Sequence, residues 1–130
     1  MRRLILVLVA LAALLVSALP ALPQSGTCPG ETTPSTSLGW RTLTVSTNSV
    51  GWADASGGIP AGTVKVIWQI ETNPVRWRED GTAPTSTVGQ FYAALSGTYV
   101  SCGDSVGLIR YIRDTTSTGS ATATGHFFGR

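Results

Sequence analysis

One stretch, VRWREDGTAPTSTVG at positions 75–89, restricts the folds open to this chain more than any other. Val75 and Trp77 fall on one side of an extended backbone and Arg76 and Arg78 on the other, because successive strand side chains point to opposite faces. Such a segment buries one face and leaves the other wet. The turn behind it is equally constrained: Asp80 can bond back to the backbone, Gly81 can take positive φ, and Pro84 fixes its own φ while holding Ala83 extended. Thr82, Thr85 and Gly89 complete this organising strand and turn.

The same alternation recurs along the chain. Residues 63–71 (TVKVIWQIE) set Val64, Val66, Trp68 and Ile70 against Lys65, Ile67, Gln69 and Glu71. A turn at Thr72-Asn73-Pro74 then predicts that residues 75–78 run back antiparallel beside them, with Trp68 and Trp77 in one core seam. Residues 40–45 (WRTLTV) read as a strand whose inner face is ambiguous, and residues 50–53 as a short one. Further strands are expected near residues 90–95, 98–102 and 108–113, the last with Arg110 at a rim, and in the closing run at 118–128. No stretch beyond the first residues carries helical periodicity. About seven short strands between Gly, Pro, Asn and Asp turns predict an all-β fold, an antiparallel sandwich or jelly roll.

The chain opens with Arg2 and Arg3, an apolar run from Leu4 to Val16 and then small residues, the pattern of a secretory leader over residues 1–21. The expected location is therefore secreted or at the cell surface, with membrane contact only through an uncleaved leader. Residues 22–39, rich in Pro, Ser, Thr and Gly, read as an extended arm, and residues 40–130 as one domain. Two of the nine cations lie in the leader, so beyond it seven cations meet seven carboxylates. That balance leaves no excess for phosphate binding, and nucleic acid is not an expected partner. Cys28 and Cys102 both lie in the exported part, where pairing is permitted; a bond between them closes a loop of about 75 residues and stabilises by roughly 4.5 kcal/mol at most.

Catalytic chemistry is not legible. His126 is the single histidine, near the chain end, without a nucleophile motif to go with it. Glu71, Glu79, Asp80 and Asp104 sit at strand ends and turns, where solvated carboxylates are ordinary. Two cysteines and one histidine at these separations lack metal-ligand spacing, and no cofactor motif is present. The four tryptophans are the richest binding signal: Trp68 and Trp77 read as core, whereas Trp52, beside a glycine loop, is the ring expected to face a ligand, with Trp40 as a second.

The run at residues 75–85 with Val88-Gly89 behind it, and Leu108-Ile109-Arg110-Tyr111-Ile112 downstream, resembles a group of small proteins found among bacteriophage structural genes. The shared pattern is an arginine-aromatic-arginine strand, an Asp-Gly-Thr-x-Pro-Thr turn and a later Ile-Arg-aromatic-Ile strand, over about residues 63–113. The resemblance implies a β-sandwich particle component without catalytic residues. The leader and the cysteine pair depart from that pattern and point to an exported relative. The expected function is thus an exported, non-enzymatic structural or interaction subunit. It would self-associate through edge strands and the run at 118–128. The alternative is a secreted carbohydrate-binding module, a possible glycan partner being met by Trp52 and Trp40.

Overall fold

The computed structural model describes residues 26–130; the expected leader lies outside the described residues. Seven strands form: β1 (Thr36–Val45), β2 (Thr63–Thr72), β3 (Val75–Arg78), β4 (Gln90–Tyr92), β5 (Tyr99–Cys102), β6 (Arg110–Arg113) and β7 (Ala121–Gly129). They make two antiparallel sheets, one in the order β1-β7-β2-β5 and one in the order β4-β3-β6, packed face to face as a β-sandwich. One 3-10 turn (Trp52–Asp54) and one helical turn, α1 (Ser105–Leu108), interrupt the strands.

The alternation of residue types decides which side of each strand is dry. On β2, Val66, Trp68 and Ile70 are buried; on β1, Leu43 and Val45; on β3, Val75 and Trp77. β7 carries only small residues inward at Ala121, Ala123 and Gly125 before the bulky Phe127. Those small residues make room for an indole. A Cβ at Gly125 would stand 2.9 Å from Trp52 Cη2 and 3.0 Å from Val66 Cγ2. Aromatic edges and faces then close the interior: Trp68 meets Trp77 at 5.1 Å and 77°, and Trp52 meets Phe127 at 5.5 Å and 90°.

Five expectations need correction. β2 and β3 are not hydrogen-bonded neighbours. Asn73, at φ 54°, and Pro74 carry the chain from one sheet to the other, so Trp68 and Trp77 meet across the sandwich rather than along a hairpin. Residues 50–53 form no strand; Val50 makes an isolated bridge to Tyr111, and the 3-10 turn follows. Trp52 is 1 % exposed and faces no ligand. Gly51 explains the inward tilt of that ring, because a Cβ there would lie 2.6 Å from the Ile109 carbonyl oxygen, so only glycine lets the turn sit this deep. Finally, the run at 118–128 is not an edge: β7 is bonded to β1 on one side and to β2 on the other. Residues 36–39, read as arm, already belong to β1.

The organising strand sits in the middle of the three-stranded sheet. Arg76, on its outer side, ties three segments together. Its Nε donates to Asp114 at 2.5 Å, its Nη1 to the Gly89 carbonyl at 3.3 Å, and its guanidinium lies 5.1 Å from the Phe91 ring centroid. Asp114 is fully buried, and the Thr116 backbone N–H, the Thr116 hydroxyl and Arg76 hold its carboxyl below the usual range against the opposing effect of burial. In the turn, Asp80 pairs with Arg78 and accepts the Thr82 N–H at 3.0 Å, while Gly81 takes φ 79°.

Candidate functional site

The outer face of the four-stranded sheet is where exposed aromatic and polar side chains converge. With Leu43, Val45, Val66 and Phe127 inward, the intervening residues of β1, β7 and β2 point outward. Register places them in rows. Trp40, His126, Ile67 and Val100 lie across from one another, followed by Thr42, Thr124 and Gln69, and then by Thr44, Thr122 and Thr72. Trp40 is 60 % exposed, the largest apolar surface on this face.

Trp40 is exposed but held. Its ring stacks on the His126 imidazole at 4.3 Å and 18°, and His126 packs on Phe128 at 4.2 Å. Ser37 Oγ and His126 Nε2 are hydrogen-bonded at 2.7 Å, and the Lys65 ammonium stands 5.2 Å from the Phe128 centroid. Four side chains on three strands thus fix one exposed indole.

The beginning of the described chain closes one end of the face. Cys28 is bonded to Cys102 on β5, with Cα atoms 5.8 Å apart. Lys65 donates to the Gly26 carbonyl at 3.0 Å and pairs with Glu31 at 2.7 Å, and a Cβ at Gly26 would stand 3.2 Å from Ile67 Cδ1. The arm therefore lies on the sheet rather than away from it. The Lys65 ammonium, with the Cys28 N–H and the Ser35 hydroxyl, lowers the Glu31 carboxyl to about 2.

A pH dependence follows from Glu31 and Asp114. Unfolded carboxyls titrate near 4. Both groups are depressed in the fold, so what they contribute is complete above about pH 4 and drains as pH falls through the folded values, near 2 for Glu31. Urea midpoints are expected to be flat from neutral pH to about 5 and to drop steeply below 4, less steeply in Glu31→Gln. Equal steepness in that variant would remove Glu31 from the account.

Two hollows flank the sandwich. One, of about 690 Å3, lies between the arm and the sheet rim beside Glu31, Val64 and Arg130. The other, of about 730 Å3, is a shallow groove between the free edges of β4 and β5, walled by Trp77, Arg78, Asp80, Gln90 and Val100. The tip of the organising strand forms part of that second wall. In the first hollow the Ser35 hydroxyl donates to Glu31 at 2.7 Å, and that carboxylate is also held by Lys65. Among the described residues, no three of His, Cys, Asp and Glu stand as a metal-holding group.

Of the residues singled out by sequence, Trp40 is on the exposed face, Trp52 is in the core, and Cys28 and Cys102 are joined beside that face. Arg76, Trp77, Arg78, Asp80, Gly81, Thr82, Pro84, Thr85 and Gly89 belong to the other sheet and its turn, away from Trp40. No family model, no curated protein and no solved structure matches the chain. Sequence reasoning passed over His126, Phe128, Lys65 and Glu31 as parts of one constellation. The available signal was the repeated Thr-x-Thr of Thr42-Leu43-Thr44 and Thr122-Ala123-Thr124, which marks two strands offering hydroxyls on one side.

Proposed function

We propose that this chain is an exported, non-enzymatic structural or interaction subunit, a component of an extracellular or phage-like assembly, whose copies join edge to edge. The observation that supports this is the free edge of β1. That strand is ten residues long and, among the described residues, is bonded only to β7 within its sheet.

The direction of its backbone groups can be worked out. The Ser46 carbonyl accepts the Arg113 N–H at 2.9 Å and the Trp40 carbonyl accepts Arg41 Nη1 at 2.9 Å, so even-numbered residues turn their backbone away from β7. Alternation then puts the N–H and C=O groups of Thr42 and Thr44 outward. Both residues are exposed. Arg41 shields Trp40 and β6 shields Ser46, which leaves a short window for a second copy to add a strand. Two-fold pairing through one such window gives a closed dimer and needs no second surface.

Light scattering tests this directly. The exported protein is expected to run as a dimer that survives reduction, because Cys28 and Cys102 pair within one chain. Thr42→Pro removes an outward N–H at a position where an edge strand tolerates proline, so it should yield a monomer that keeps the native near-UV spectrum and whose thermal midpoint no longer depends on concentration. A monomeric parent protein would overturn the reading.

A further inference from the structure

We infer that the open part of the outer sheet face is a binding site for an uncharged, extended polysaccharide, with a β-linked glucan as its simplest form. The site is the indole of Trp40 together with the hydroxyl and amide rows beside it. This goes beyond edge assembly and does not depend on it, since the edge uses backbone groups and the face uses side chains.

The first argument is the state of the ring. His126 lies on the neighbouring strand and covers one face of the Trp40 indole, while among the described residues β1 has no strand on its other side and the indole is largely exposed, so the second face of the ring is open. An aromatic face held before binding loses little freedom when a sugar ring stacks on it. The chain Trp40, His126, Phe128 and Lys65 supplies that hold.

The second argument is the polar array. Thr42 and Thr44 on β1, Thr124 and Thr122 on β7 and Gln69 on β2 lie on the same face as Trp40. Steps along a strand on one face are about 7 Å and steps between strands about 4.8 Å, so hydroxyls repeat at short, even intervals away from the indole. A sugar polymer with its ring faces on Trp40 would find donors and acceptors along its edges.

The third argument is what the face lacks. Lys65 is occupied by Glu31 and the Gly26 carbonyl, and Arg41 by the Gly58 and Trp40 carbonyls. No cation on the open rows is left, among the described residues, for an anionic polymer. Among the described residues, the other exposed large apolar side chains are Val88, Phe91, Leu95 and Leu108; Phe91 is on β4 of the other sheet, and Leu95 stands beside the far end of β2, where its N–H bonds the Ile70 carbonyl, away from the Trp40 row. One indole among hydroxyls suits a sugar better than a protein contact, whose centre needs more apolar surface.

Native affinity electrophoresis of the disulfide-bonded protein through hydroxyethyl cellulose tests the site. Retardation is expected and should persist at high salt. Trp40→Ala should weaken it about tenfold or more, Trp40→Phe should retain part of it, and Thr42→Val with Thr124→Val should weaken it several-fold while leaving Trp40 in place. All three positions are exposed or half-buried, and near-UV circular dichroism checks that the fold is kept. No retardation of the parent protein, equal retardation of Trp40→Ala, or retardation only by salt-sensitive alginate would each overturn the assignment. A dimer by light scattering that ignores the glucan would overturn this inference alone and leave the edge assembly standing.

Discussion

A chain ending at Ser117 is expected not to fold. Residues 118–130 include all of β7, which is bonded along nearly its whole length to β1 and to β2. Removing it takes Ala121, Ala123 and Phe127 from the core and leaves the Trp52 indole without one of the two rings it meets edge-on, Tyr111 being the other. It also detaches β1, whose only partner strand among the described residues it is. The loss exceeds the roughly 5–15 kcal/mol that hold an ordinary domain together. The truncated protein should show no near-UV circular dichroism and no cooperative urea transition. Had this run been an appended edge, truncation would have left both signals intact, and finding them intact would refute the central place of β7. The internal change Gly125→Val reads the same contact within the full-length chain.

Strand existence and facing were legible because burial is written with a period of two. Residues 63–71, 75–78 and 98–102 each declared themselves, and the resulting all-β sandwich agrees with the two packed sheets. Pairing was not legible. Inward rows on Trp68 and Trp77 look the same whether their strands lie side by side or face each other across the core; Asn73 in a left-handed conformation decides it, and that is a property of the folded backbone. The faces of residues 40–45 were ambiguous for a related reason, since Trp40 and Leu43 both qualify as core. The structure turns Leu43 inward and leaves the indole to stack on His126.

The misreading of Trp52 came from its glycine neighbours, taken as the mark of a surface loop. Gly51 instead permits a close approach to the Ile109 carbonyl, and the turn goes inward. The arm was hidden for the opposite reason. Its composition offers little to bury, and what seats it is Glu31 on Lys65 and Cys28 on Cys102, pairs separated by 34 and 74 residues in sequence. His126 seemed a residue near a fraying end, whereas it is one strand in from the sheet edge, between two rings.

Loss of the Cys28 to Cys102 bond is expected to cost about 3–4.5 kcal/mol, the upper figure being the chain-entropy value for the separation of 74 residues. The bond acts mainly on the unfolded chain, which without it regains nearly all the freedom of the domain. In the folded state Lys65 still holds Glu31 and the Gly26 carbonyl, so the arm keeps its polar anchors. The double variant Cys28→Ser with Cys102→Ser should therefore have a native near-UV spectrum, a much lower urea midpoint and a steeper dependence on urea, because a less constrained unfolded chain exposes more surface. Adding Glu31→Ala should then release the arm, seen as rapid proteolysis ahead of β1 while the sandwich persists. If the double variant instead kept the parent midpoint, the bond would be holding a segment that the sheet already holds. If it lost the native spectrum at once, the arm would be part of the core's closure, with Glu31 and Lys65 too weak to seat it alone.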